Sequence, residues 1–136
     1  MIIRISPLFP PMMLQVSFPH RSADPGSHRH IATVVRPPYG SYNDTVAEIA
    51  ARPLILWSVD TLDWETQNAD STVQNVMDNA SDGQIILMHD IYDATADAAV
   101  VLIPELTARG YQLVTVSELA AARGGMSAGH KYSQFR

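Results

Sequence analysis

At 136 residues, 46% hydrophobic and 17% charged, the chain fits one folded domain. It lacks the composition of a disordered polymer and any run of about 20 apolar residues able to span a bilayer. A net charge of −5 with no Lys/Arg cluster argues against nucleic-acid binding. The absence of cysteine excludes disulfides and thiolate metal sites and leaves the compartment open.

The first stretch, "MIIRISPLFPPMMLQVSF", is apolar with one early Arg. Pro7, Pro10 and Pro11 interrupt it, and no A-x-A-like site follows, so no working secretory signal is expected. Seven of the nine prolines lie in the first 38 residues, and only Asp24 among the acidic residues precedes Asp44. No helical or strand period holds before Ile31, so residues 1–32 are expected to form an irregular arm.

Regular patterning starts at Thr33. "TVV" (33–35) is a short β-branched run that stops at Arg-Pro-Pro. "NDTVAEIAAR" (43–52) predicts a helix capped by Asn43 or Asp44, and "PLILW" (53–57) a buried strand. "DSTVQNVMDNA" (70–80) sets Val73, Val76, Met77 and Ala80 at helical spacing, with Asp70 as N-cap. "QIILM" (84–88) is a strand entered through Asp82-Gly83. Residues 94–110 predict a helix with Ala96, Ala99, Val100, Ile103 and Leu106 near one face, kinked at Pro104 and closed by Gly110. "YQLVTV" (111–116) is a strand, Ser117 caps a last helix over 117–122, and residues 123–136 read as a loose tail. Strands alternating with helices over 33–122 predict an α/β fold with a parallel sheet and right-handed crossovers. A complete (β/α) barrel takes about 200 residues or more, so this region is a portion of a larger architecture.

In such folds chemistry gathers at the carboxyl ends of strands, and three strand ends here are unusual. After "TVV" come Arg36, Pro37-Pro38 and Tyr39-Gly40: a guanidinium able to grip a carboxylate, or only a stiff surface loop. After "PLILW" come Asp60, Asp63 and Trp64: two carboxylates beside a stacking ring, or turn formers beside a core-edge cover. After "QIILM" comes His89-Asp90: a general acid or base near neutral pH, or a hydrogen-bonded core histidine beside a turn cap.

Read in order, R-P-P-Y-G, D-x-x-D-W and L-x-H-D resemble the third, fourth and fifth motifs of the polysaccharide deacetylase family over about residues 34–116. This is the NodB-homology group, carbohydrate esterase family four, which includes peptidoglycan and chitin deacetylases. The resemblance implies the C-terminal portion of a distorted (β/α) barrel. It also implies hydrolysis of acetyl groups on amino-sugar polymers, cleaving the C–N amide bond of N-acetyl sugars with a divalent metal, often zinc. Carried over by motif, Arg36 would pair with the catalytic base and the Tyr39 N–H would help hold the oxyanion. Trp64 would wall the sugar groove, and Asp60 would tune the acid histidine. Leu87 would line the acetyl-methyl pocket, and His89 would protonate the leaving amine. Asp90 is expected to cap the turn. The family usually works at the cell envelope or outside the cell; the sequence leaves this chain's location open.

The family's first motif, T-F-D-D-G-like, and its second, H-[ST]-x-x-H, supply the base and metal ligands, and neither occurs in this stretch. His20, His28, His30 and Asp24 do not match them in spacing, and metal geometry is exacting. The expectation is therefore a partial deacetylase domain over 33–122, preceded by residues that do not match the family, with no metal ligands identified. The alternatives are an inactive, carbohydrate-binding fragment that keeps Arg36, Trp64 and Leu87, or a piece too incomplete to fold stably alone. Unpaired strand edges would give either a route to self-association.

Overall fold

The structure is a computed structural model describing residues 2–5 and 32–136. Strand β1 (Ile2–Ile5) pairs antiparallel with β5 (Tyr111–Val114), Ile2 opposite Val114. This corrects the expectation of an irregular start at these residues. Their β-branched run suits an extended backbone and closes one edge of β5. The rest of 1–32 lies outside the described residues.

Helix α1 (Asp44–Ala50) starts where expected: the Asn43 side chain accepts from Val46 N–H at 2.8 Å. Strands β2 (Leu54–Ile55) and β3 (Val59–Asp60) follow, then the single-turn helix α2 (Asp63–Thr66). Helix α3 (Ala69–Asn79) is capped by Asn68, whose Oδ1 accepts from Ser71 N–H at 2.8 Å, and not by Asp70. Asn68 has the extended backbone a cap needs, and Asp70 falls inside the first turn, where its charge suits the helix dipole. After β4 (Ile86–Leu87), α4 (Asp93–Ala108) runs through Pro104. Its buried face is Thr95, Ala98, Leu102 and Leu106: Leu106 is buried as expected, Ala96, Ala99 and Ile103 each lie one position past a buried residue, and Val100 is exposed. Alanine and valine on both sides of this helix left its periodicity ambiguous. Helix α5 (Val116–Ala122) is capped not by Ser117 but by Thr115, in a reciprocal box with Glu118.

Pairing among the described residues forms parallel pieces β2·β6 and β3·β4, with a parallel bridge from Val35 to Leu54. Of "TVV", only Val35 pairs. Strand β6 (Lys131–Tyr132) belongs to the segment expected to be a loose tail. That expectation is corrected: Leu54 N–H donates to His130 O at 2.8 Å, Leu56 N–H to Tyr132 O at 2.9 Å, and Phe135 N–H to Gly83 O at 2.7 Å. Phe135 is buried and stacks on Tyr132 with centroids 5.2 Å apart. Two aromatic side chains supply the apolar surface that docks the tail.

Strand β4 and the residue before it are buried on both faces. Ile86 packs with Val59, Val76, Ala98, Leu102 and Leu106, under α3 and α4. Ile85 packs with Ile55, Leu119, Ala120 and Phe135, under α5 and the tail. The end of β4, where His89 sits, is thus fixed from both sides. No helix among the described residues is long and apolar enough to cross a membrane.

Candidate active site

The segments bearing the motifs run in one direction. Val35 pairs parallel with Leu54, and Val59–Asp60 with Ile86–Leu87, so residues 54–60 lie between the strand before Arg36 and the strand before His89. The three following loops leave from the carboxyl ends of these strands.

Between β3 and α2 the chain turns sharply. Leu62 adopts φ 56°, its N–H donates to Asp60 Oδ1 at 3.1 Å, and Thr61 Oγ1 donates to Leu87 O at 2.8 Å, tying the ends of β3 and β4 together. The turn sends the Asp63 side chain inward, to 1% exposure. Four donors meet its carboxylate. The His89 backbone N–H (2.6 Å) and Thr95 Oγ1 (2.7 Å) reach Oδ2. The Trp64 N–H (3.0 Å) and His89 Nδ1 (2.8 Å) reach Oδ1. Burial pushes the Asp63 pKa up, but the hydrogen bonds from His89 and Thr95, with the charge on His89, hold it below the ordinary carboxylate value. Asp63 is therefore ionised and only accepts, which makes Nδ1 the protonated nitrogen of neutral His89. Nε2 is left over on a ring that is 35% exposed. Tyr92 packs edge-on to that ring, with centroids 6.5 Å apart.

Of the residues singled out in the sequence, Asp63, His89, Leu87 and Trp64 belong to this cluster or adjoin it. Leu87 is buried at the end of β4; Trp64 is half-exposed and shares Asp63 with His89 through its N–H. The carboxylate on His89 is Asp63, not Asp60, whose side chain closes the turn at Leu62. Both aspartates stand in the same motif, and only the backbone turn between them decides which faces the ring. Thr95 escaped the sequence reading altogether, because a threonine in the first turn of a helix carries no distinguishing local signal. Arg36 is exposed by area, while nearby atoms desolvate its guanidinium and lower its pKa. Tyr39 is exposed at φ 56°, in a 3-10 turn closed by Gly40 N–H to Pro37 O and Ser41 N–H to Pro38 O, so its own N–H is not spent on that closure. Among the described residues no hydrogen bond or ion pair joins Arg36 or Tyr39 to Asp63 or His89.

No family model matches the chain. The peptidoglycan-N-acetylmuramic acid deacetylase PdaC of Bacillus subtilis is 51% identical over 87 residues, covering 64% of this chain and 19% of that protein. Its solved structure superposes with a TM-score of 0.65 at 49% identity, over 66% of this chain and 45% of that one. The chain carries part of a carbohydrate esterase family 4 domain. The peptidoglycan-N-acetylglucosamine deacetylase PgdA of Listeria monocytogenes is 44% identical over 90 residues, 66% of this chain and 19% of that protein. A family 4 acetyl xylan esterase from Clostridium thermocellum, solved with a cobalt ion, matches with a TM-score of 0.69 at 27% identity, over 75% of this chain and 53% of that one. The chain thus spans about a fifth of the length of these two curated relatives and about half of these solved chains.

Family 4 deacetylases are generally metal dependent. The described residues do not fit a metal: no group of three or more His, Cys, Asp or Glu among them could hold one. Both oxygens of Asp63 already accept two donors each, which leaves its carboxylate committed to the ring and the loops. His20, His28, His30 and Asp24 lie outside the described residues.

Proposed function

We propose that residues 33–122 supply the leaving-group side of a polysaccharide deacetylase site, acting on N-acetyl amino sugars of a peptidoglycan- or chitin-like glycan. The observation that carries this reading is the buried Asp63 carboxylate holding Nδ1 of His89, with Nε2 left over at the carboxyl ends of parallel strands. The names of the PdaC and PgdA relatives support the substrate class. On this reading the described elements are the C-terminal portion of a distorted (β/α) barrel.

Hydrolysis of an acetamide breaks its C–N bond, and an amide nitrogen leaves only once protonated. His89, charged, delivers that proton from Nε2; Asp63 fixes the ring and balances the imidazolium before transfer. Trp64 offers a half-exposed indole for a sugar face, Leu87 an apolar contact for the acetyl methyl, and Tyr39 a backbone donor for the oxyanion. Arg36 pairs with the base carboxylate of the complete site. Zinc is the ion we propose for that complete site, where it would polarise the carbonyl and lower the pKa of the attacking water. The described residues do not hold it.

The test is acetate release from an acetylated chito-oligosaccharide or peptidoglycan with added zinc, His89→Ala serving as control. Release that His89→Ala abolishes supports the reading; no release above that control rules out activity in this chain. A second reading, an inactive sugar-binding fragment, would use the half-exposed Trp64 as a stacking surface without the metal. A saturable change in Trp fluorescence on adding the oligosaccharide, without acetate release, would select it.

A further inference from the structure

We infer that Thr95 is a positioning residue for His89, acting through Asp63 to hold the imidazole in its Nδ1–H tautomer. The role rests on the reading of His89 as proton donor. A carboxylate rotates freely about its Cβ–Cγ bond unless each oxygen is held, and Asp63 has two donors per oxygen. Three of the four come from residues 64 and 89, in the single-turn helix α2 and just after β4. The fourth, the Thr95 hydroxyl, comes from α4, whose Ala98, Leu102 and Leu106 are fully buried in the core. Thr95 therefore ties the carboxylate to a further core element, α4, while the other donors are His89 itself and the residue next to Asp63 in α2.

The way Thr95 uses its hydroxyl is distinctive. Thr66, Thr72 and Thr107 each donate to the backbone carbonyl four residues earlier, the usual outlet for a helical threonine. Thr95 donates instead to a carboxylate 32 residues away, at 2.7 Å, in a buried setting. A charge-assisted bond of this kind is among the stronger ones, and in a site excluded from water it fixes geometry as well as adding energy. The hydroxyl and the His89 N–H together hold Oδ2, so that Oδ1 faces Nδ1.

The test is the ring NMR signature of His89 in the whole chain, at about pH 8.5 where imidazole is neutral. His89→Ala assigns the resonances, and Thr95→Val is compared with Thr95→Ser. The wild type and Thr95→Ser are expected to show the Nδ1–H tautomer with a slowly exchanging ring proton. Thr95→Val is expected to move the ring nitrogen shifts toward a tautomer mixture and to speed that exchange at least tenfold. The inference is overturned if Thr95→Val keeps the wild-type signature, or if Thr95→Ser loses it equally. Should valine disturb the packing of α4, seen in the amide spectrum of that helix, Thr95→Ala makes the same comparison. The readout needs no turnover, so a chain that releases no acetate refutes the reaction while leaving this test intact.

Discussion

Asp63 and Asp60 are three positions apart and chemically identical, yet the fold gives them different work. Asp63 is buried under four donors; Asp60 closes a surface turn through one. Removing the charge of Asp63 leaves buried donors facing an amide, so Asp63→Asn is expected to cost about 3 kcal/mol at pH 7. Asp60→Asn is expected to cost less than about 1 kcal/mol. The pH dependence follows from the lowered pKa of folded Asp63. Its stabilisation is fully present above the unfolded carboxylate value of about 4 and is lost as pH falls through the lower folded value. Denaturant titrations from pH 7 downward are expected to show the gap between wild type and Asp63→Asn narrowing below about pH 4. A gap that stays constant would mean the carboxylate is not held as described. His89 was legible because an ionisable ring after an apolar strand is a local anomaly. The choice between the aspartates was not, because it depends on the left-handed turn at Leu62.

Element by element, legibility followed the strength of the local signal. Helices α1, α3, α4 and α5 were all visible, since apolar spacing and polar caps act within a few residues. Two caps moved upstream, to Asn68 and Thr115, because the cap is the residue with extended backbone that can still reach the first free N–H groups. The box at Thr115 invites a direct measurement. The Thr115 backbone N–H and then its hydroxyl donate to the Glu118 carboxylate and hold it below its ordinary pKa. Thr115→Ala removes the hydroxyl donor and the acceptor for Glu118 N–H and leaves the backbone donor in place. The variant is expected to lose about 1 kcal/mol in denaturant unfolding, with its slope unchanged. An unchanged midpoint would show that packing of Leu119 and Ala120 alone holds α5. The offset face of α4 was less accessible, since its small residues allow more than one stripe and only the neighbouring α3 and the strands packed against α4 select among them.

At the scale of the molecule, the least expected feature is the C-terminal segment, which supplies a parallel neighbour to β2 and a buried Phe135. Its seat requires Gly83, which has φ 80° and lies so close to the tail that an added Cβ would sit 1.7 Å from Phe135 O. Gly83→Ala is expected to destabilise by more than the roughly 1–2 kcal/mol of a left-handed alanine alone, because the backbone of Phe135 must also withdraw. Hydrogen exchange at Phe135 N–H, which donates to Gly83 O, is expected to accelerate in the variant. Retention of the wild-type midpoint and protection would refute the docking. The same docking bears on self-association: β6 covers one side of β2 and the bridge to Val35 the other, which leaves fewer open edges than the loose-tail expectation implied.

The sequence by itself determined the alternation of strands and helices and the motif order that places the chain in carbohydrate esterase family 4. Both are written in residues that act on near neighbours. Tertiary structure decided which carboxylate meets His89, which threonine steadies it, which face of α4 is buried and where the tail docks. Those contacts join residues 26, 32 or more positions apart, and no local propensity encodes a meeting that the packed chain alone brings about.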